Sequence, residues 1–359
     1  MTLTGLSRSE RFLLGAVVVA VAAAGVTRYV AGVSNVLAFV VATVALAGTA
    51  WVVSFSVDQV GRRLGPGPTG LMQASLANLP EFFVVIFALN GGHLIVAQTA
   101  IVGSVLVNAL LVLGLVIVAG ARRAGRGGKG VMRFSPRLPN DTATLLLVAT
   151  FIIVLAALTH TAHDAASHHI KTISIISACA ILVVYGAWLN QYLRSKPGSR
   201  PADETPPRVA MRVSLGLLTA AGVASAFVSD WFVHALEPTI HTLGISQQFA
   251  GLVIVAIAGN AVENITGLVL AYKGRSDLAI SVVKNSVAQI AAFLFPLLVL
   301  VSLLLATTLT FALAPVYIGA LVLTTLVLWQ VTGDGEAAEF EGWALVALYV
   351  ILATLTIYE

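Results

Sequence analysis

Two glutamates stand inside apolar runs. Glu81 is followed by Phe82-Phe83-Val84-Val85, and Glu263 is preceded by Ile254-Val255-Ala256-Ile257. Each has an asparagine three positions earlier, so Asn78-Leu79-Pro80-Glu81 and Asn260-Ala261-Val262-Glu263 both read Asn-x-x-Glu. A serine follows each glutamate by 23 residues, at Ser104 and Ser286. Ser104 leads to Asn108 and Ser286 to Gln289, an amide three or four positions on and therefore on the same helix face. A carboxylate deep in an apolar span is costly and by default marks an ion or proton path. Pro80 removes a backbone donor beside Glu81, and Gly259 loosens the chain before Asn260. Broken helices free carbonyl oxygens that can coordinate cations. Carboxylate, amide, hydroxyl and carbonyl oxygens together make a hard donor set, suited to Ca²⁺ or Na⁺ more than to softer metals. The competing reading is helix–helix glue through interhelical hydrogen bonds. Recurrence of the pattern in matching places favours a cation site.

Other polar residues carry two readings each. Asp58, at the inner end of the second apolar run, and Asp230, toward the outer end of the seventh, are either access-path residues or ordinary interfacial acids. Lys284, two positions before Ser286, either snorkels to the inner face or pairs with a site glutamate and lowers the site charge. His160, His163, Asp164, His168 and His169 crowd one outer loop; they form a solvated polar loop or a metal site. Asp334, Glu336, Glu339 and Glu341 read as a solvated acidic turn.

The elements that position these residues follow from hydropathy. The chain of 359 residues is 58% hydrophobic and 10% charged, against about 25% charged in soluble proteins. About eleven spans are expected, near 11–31, 35–58, 68–90, 95–120, 142–160, 168–193, 211–236, 248–272, 277–305, 307–330 and 340–358. The expected fold is therefore an all-α, polytopic membrane protein. No alternating strand pattern suggests an outer-membrane barrel. With the N-terminus in the cytoplasm, 17 of the 20 basic residues fall in inner segments, which sets the orientation and an external C-terminus. All seven histidines then lie toward the outside. The single Cys179 excludes an internal disulfide framework. The net charge of +4 reports topology and not nucleic-acid binding.

A Pro-rich charged stretch from Ser195 to Arg208 reads as a flexible cytoplasmic linker. The expected organisation is a first helix at 1–33, a first repeat at 34–193, a linker at 194–210 and a second repeat at 211–359. The third span runs outward and the eighth inward, so the Asn-x-x-Glu repeat is inverted, as in many secondary transporters. No His-Glu-x-x-His, Gly-x-Ser-x-Gly or phosphate-cradling motif appears, so no enzymatic or ATP-driven reading has a motif to stand on.

These residues resemble the calcium/proton exchangers of the cation/calcium antiporter superfamily, over most of the chain. Arg63-Leu64-Gly65-Pro66 leading to Asn78-Leu79-Pro80-Glu81 is similar to the family's first repeat motif, Gly-Asn-Ala-Thr-Glu. Gly103-Ser104 with Asn108 through Gly114 resembles its partner helix, and Gly259 through Asn264 its second motif. Gln289-Ile290-Ala291, Pro296 through Leu300, and the ending from Asp334 to Tyr349 continue the likeness. The sequence departs from the pattern at Ala77, Pro80, Asn264, Lys284, Asn285 and Val287.

The resemblance implies two inverted five-helix halves after an extra first helix. It also implies that Glu81 and Glu263 bind the transported cation, helped by Asn78, Asn260, Ser104, Asn108, Ser286 and Gln289. The expected activity is Ca²⁺/H⁺ antiport by alternating access, with Ca²⁺ or another cation and protons as substrates, no cofactor, and residence in a bacterial cytoplasmic membrane. A monovalent Na⁺ or K⁺ antiporter, with Lys284 standing in for part of the cation charge, and a non-transporting scaffold or sensor remain as alternatives.

Overall fold

The computed structural model describes residues 5–64, 72, 76–125, 130–135, 137–194 and 208–359. The expected linker at 195–207, the Gly65-Pro66 part of the first motif, and the basic residues Arg126 and Lys129 lie outside the described residues. The molecule is an all-helical polytopic integral membrane protein. Among the described residues nine helices are long and apolar enough to cross a membrane, and a bent pair raises this to ten if counted as one span. The third expected span is represented by a shorter apolar helix, Leu79–Asn90, with much of 68–78 outside the described residues.

The helices are α1 (Arg8–Tyr29), α2 (Asn35–Leu64), α3 (Leu79–Asn90), α4 (Leu94–Gly125), α5 (Arg137–Thr161), α6 (Ile170–Arg194) and α7 (Met211–Leu243), then α8 (Gln247–Gly259), α9 (Ala261–Tyr272), α10 (Ser276–Leu304), α11 (Pro315–Thr332) and α12 (Glu339–Ile357). By contact the chain forms two compact units. The first holds Met1–Ala88 and Gly186–Gly244, the second Leu89–Tyr185 and Ile245–Glu359. Each unit therefore draws helices from both sequence halves.

In the first unit α2 packs along α7, with α1 against both. Val52, Val53, Val57 and Ala221 form the buried centre of that packing. α1 begins with a capping box, Ser7 and Glu10 satisfying each other's backbone N–H groups. The chain that enters α7 is pinned to the end of α2. Gln59 accepts from the Arg208 N–H, Arg63 donates to the Val209 carbonyl at 2.6 Å, and Arg208 pairs with Glu10 at 2.7 Å. α7 ends where Gly244 adopts a left-handed φ of 65°.

In the second unit α4 is the central element. α8, α9 and α12 pack on it, and α5 pairs with α11 and α10. Small residues permit the close approaches that lipid-embedded helices need. A Cβ on Gly103 would stand 2.5 Å from the Leu252 carbonyl oxygen, and one on Gly114 2.6 Å from the Gly342 carbonyl oxygen. Gly251 in turn lies against Thr99, so α4 and α8 cross at two glycines.

One expectation is corrected here and two are refined. First, the reading of 307–330 as helix gives way to an irregular segment before α11, which starts only at Pro315. Proline fits the first helical position because its missing N–H is not needed there. Side chains satisfy the extended backbone before it: Ser302 accepts from the Leu309 N–H, Ser174 from the Phe311 N–H, and Gln98 donates to the Ala312 carbonyl. Second, the helix continues past Asp58 to Leu64, so that acid is inside α2, near the inner end of the apolar span Asn35–Gly61. Third, the acidic turn, with Asp334 and Glu336 exposed as expected, is also ordered. β2 (Glu336–Ala338) pairs antiparallel with β1 (Val131–Arg133), with Met132 opposite Ala337. Arg133 bonds Glu336 at 3.1 Å, Arg122 bonds Glu339 at 2.7 Å, and Glu341 caps the Ala338 N–H. Pairing between a basic and an acidic loop 200 residues apart leaves no local periodicity to read.

Candidate cation site

The two Asn-x-x-Glu motifs fold the same way locally. α3 and α9 each begin immediately after the asparagine, and the glutamate occupies the third helical position. The Asn78 carbonyl accepts from the Phe82 N–H at 2.9 Å, and the Asn260 carbonyl from the Asn264 N–H at 3.0 Å. At Asn260 the backbone leaves helical geometry, with φ −100° and ψ 13°, and its side chain makes no capping hydrogen bond. The glutamate then lies in the first turn, near the unsatisfied N–H groups and the positive end of the helix dipole. At Asn260 the break is sharp: α8 and α9 meet at 61°.

The predicted partner residues Ser104, Asn108, Asn260 and Ser286 come together in the second unit. Asn260 donates to the Ser104 hydroxyl at 2.9 Å and to the Ala256 carbonyl at 2.9 Å. Asn108 donates to the Asn260 side-chain oxygen at 2.9 Å, to the Ser104 carbonyl at 3.0 Å and to the Ser286 hydroxyl at 3.4 Å. All four are buried, Asn108 and Asn260 completely. Residues 104 and 260 are far apart in sequence, and the glycine crossing of α4 and α8 lets their side chains touch. The Asn108 side-chain oxygen finds no donor among the described residues. A buried carbonyl without a donor is uncommon and leaves an acceptor lone pair unused.

A second shared feature was invisible in the sequence. α4 widens into a π-helical segment at Val107–Val112, and α10 does so at Ile290–Leu294. Each begins three or four residues after the paired serine. Such bulges insert one extra residue and are frequent at functional sites. A third, Ala250–Val255, precedes the break at Asn260.

The other predicted residues stand as follows. Glu81 is buried at 3% exposure and Asn78 at 5%, both in the first unit. The Pro80 carbonyl accepts the Ser229 hydroxyl at 3.2 Å. Glu263 is half-buried in the second unit. Gln289 is half-buried at the start of the α10 bulge, and its side chain does not join the cluster. Asp58 is half-buried and accepts from the neighbouring Gln59 amide at 3.2 Å; Asp230 is half-buried within α7. Lys284 is buried at 2% exposure and donates to the Thr332 hydroxyl at 2.6 Å. Thr332 is the last residue of α11, so the ammonium sits at the negative end of that helix.

In the histidine loop, Asp164 accepts from the Ala166 and Ser167 N–H groups and caps a short 3₁₀ turn. His163 takes a φ of 54° with its Nδ1 2.9 Å from the His160 carbonyl. Among the described residues no three His, Cys, Asp or Glu side chains converge on a point that could hold a metal ion.

Comparison with known proteins places this geometry in context. The family model described as sodium/calcium exchanger protein matches residues 34–190 and 213–358. The vacuolar calcium ion transporter of Schizosaccharomyces pombe is 30% identical over 337 residues, covering 89% of this chain and 79% of that protein. The Ca²⁺/H⁺ antiporter ChaA of Bacillus subtilis is 28% identical over 298 residues, covering 80% of this chain and 83% of that protein. The solved structure of native YfkE superposes with a TM-score of 0.79 at 26% identity, covering 97% of this chain and 99% of that one.

Proposed function

From the premise that this chain belongs to the sodium/calcium exchanger protein family, we propose that it is a secondary antiporter exchanging Ca²⁺ for protons. The observation that carries the reading is the pair of half-helices that each start just after an asparagine and carry a glutamate in the first turn. Beside the second of them lies the Ser104–Asn108–Asn260–Ser286 cluster with its open acceptor oxygen. The names of the similar proteins, a calcium transporter and a Ca²⁺/H⁺ antiporter, support Ca²⁺ as the cargo.

In this reading Glu81 and Glu263 each carry either a share of the cation or a proton. A carboxylate in low-dielectric surroundings needs a compensating positive charge, so cation and proton occupancy exclude one another and their exchange is coupled. The amides and hydroxyls of Asn78, Asn260, Ser104, Asn108, Ser286 and Gln289 supply neutral oxygens that replace water around the ion. Asp58 and Asp230 line the approach from opposite faces. The sequence halves 34–193 and 211–359, joined by 194–210, are inverted repeats after the first helix at 1–33. With the N-terminus in the cytoplasm, protons entering the cell would drive Ca²⁺ out.

The test is pH-gradient-driven ⁴⁵Ca²⁺ uptake into everted membrane vesicles. E263Q keeps the shape and loses the titratable charge; its uptake should fall to the empty-vector level. Uptake in E263Q at half or more of the unsubstituted rate refutes the role. A second reading, Na⁺ or K⁺ exchange for protons, rests on the buried Lys284, a basic side chain in α10 bonded to the Thr332 hydroxyl. It predicts pH-gradient-driven ²²Na⁺ or ⁸⁶Rb⁺ uptake in place of ⁴⁵Ca²⁺ uptake.

A further inference from the structure

A groove of about 360 Å³ opens on the second unit between α4, α9 and the start of α12, away from the cation-site residues. Leu115, Val118 and Ala119 line it from α4 and Leu268 from α9. Positions 115, 118, 119 and 122 fall on one helix face, so the apolar stripe runs directly into Arg122 and Arg123 at the end of α4. The distance from Leu115 to Arg122 along the axis is about 10 Å at 1.5 Å per residue. Tyr272 and Trp343 flank the basic end, both substantially exposed. Aromatic side chains with a polar edge mark the headgroup level of a membrane.

The two arginines differ. Arg122 already has a carboxylate: its Nε donates to Glu339 at 2.7 Å, and its guanidinium stacks 5.6 Å from the Trp343 ring centre. Arg123 is exposed, and among the described residues it has no ion-pair or hydrogen-bond partner. The groove thus offers an apolar trough about two helical turns long, closed at one end by a guanidinium without a counter-charge. Basic pockets between membrane helices are suited to anionic lipid headgroups. A free anion would need the arginine and not the trough, while a neutral lipid would need the trough and not the arginine.

We infer that this groove is a binding site for an anionic glycerophospholipid. One acyl chain lies along Leu115, Val118, Ala119 and Leu268, and the phosphodiester sits on Arg123 with the remaining N–H groups of Arg122 beside it. Trp343 and Tyr272 border the glycerol level. The site would tie the junction of α4, α9 and α12 to the charge of the surrounding leaflet.

Native mass spectrometry of the delipidated full chain, with dioleoyl phosphatidylglycerol or dioleoyl phosphatidylcholine added back, tests this. The phosphatidylglycerol adduct should survive collisional activation at least fivefold better than the phosphatidylcholine adduct. R123Q should bring the two to the same level, R123K should keep most of the preference, and A119L, which fills the trough, should lower adducts of both lipids. Millimolar inorganic phosphate should leave the phosphatidylglycerol adduct in place. The assignment is overturned by equal retention of the two lipids on the unsubstituted chain, or by an undiminished preference in R123Q. It is also overturned by unchanged adducts in A119L, by displacement with phosphate, or by a dimer mass that A119L abolishes, which would make a second copy the occupant. Arg123 is exposed, and the A119L arm reads the trough independently of it.

Discussion

The two Asn-x-x-Glu motifs begin their half-helices alike, yet their polar groups are held in opposite ways. At the second motif the asparagine is anchored. Asn260 is fully buried and bonded to Ser104, Asn108 and the Ala256 carbonyl, while Glu263 is only half-buried. At the first motif the glutamate is buried at 3% exposure, and the Asn78 amide nitrogen finds no acceptor among the described residues. Local sequence dictates where the helix starts; neighbours decide which polar group is fixed.

Asn260 is where this contrast can be broken most forcefully. N260A removes one partner each from the Ser104 hydroxyl and the Asn108 amide; the amide keeps the Ser104 carbonyl and the Ser286 hydroxyl. It should abolish ⁴⁵Ca²⁺ uptake and cost about 1–3 kcal/mol of stability, since it deletes several buried hydrogen bonds worth roughly 0.5–1.5 kcal/mol each. N78A should cost less than about 1 kcal/mol, since its amide nitrogen has no acceptor to lose. Thermal unfolding in one detergent compares them, and equal losses would erase the distinction.

A smaller effect is expected at the crossing that makes the second cluster possible. In an ordinary helix interior, Gly→Ala stabilises by roughly 0.5–1 kcal/mol. At Gly103 the new methyl meets Leu252 backbone atoms at 2.5 and 2.6 Å, and backbone cannot rotate away. G103A should therefore destabilise by about 1–3 kcal/mol, the typical cost of overpacking, and impair transport by prising Ser104 from Asn260. An unchanged or raised melting temperature would show that the crossing is looser than this.

The smallest effect concerns an asymmetry between the halves. Glu81 and Glu263 are 182 positions apart, as are Ser104 and Ser286, and by that offset Lys284 corresponds to Val102. One half carries a buried ammonium at the end of α11 where the other carries valine. K284L should raise apparent Ca²⁺ affinity in the vesicle assay severalfold by removing a basic group that, when protonated, repels a cation on the helix that holds Ser286. A lowered affinity would assign Lys284 a supporting role in place of an opposing one.

Several features were readable without coordinates because their causes are local. Hydropathic runs marked the spans, since a bilayer-crossing helix must be apolar over about 20 residues. The motifs at Asn78 and Asn260 stood out as polar groups inside apolar runs, with Pro80 and Gly259 as local signs of a broken helix; that a helix starts just after each asparagine was not read from them. The irregular run before Pro315 was missed because its hydropathy matches that of a helix. Its backbone is satisfied by Ser174, Ser302 and Gln98, two of them more than a hundred residues away. The β1–β2 ribbon and its Arg–Glu pairs were missed for the same reason: three-residue strands carry no periodicity, and each needs the other to exist.

The sequence by itself determined that this chain spans a membrane many times, and that two acids stand at broken helices within it, because burial in lipid and helix initiation depend on neighbours along the chain. Only the tertiary structure decided that Ser104 and Asn108 from one half bond Asn260 and Ser286 from the other, leaving one amide oxygen open. That contact depends on backbones crossing at Gly103 and Gly251, a matter of shape between distant segments that no spacing along the chain encodes.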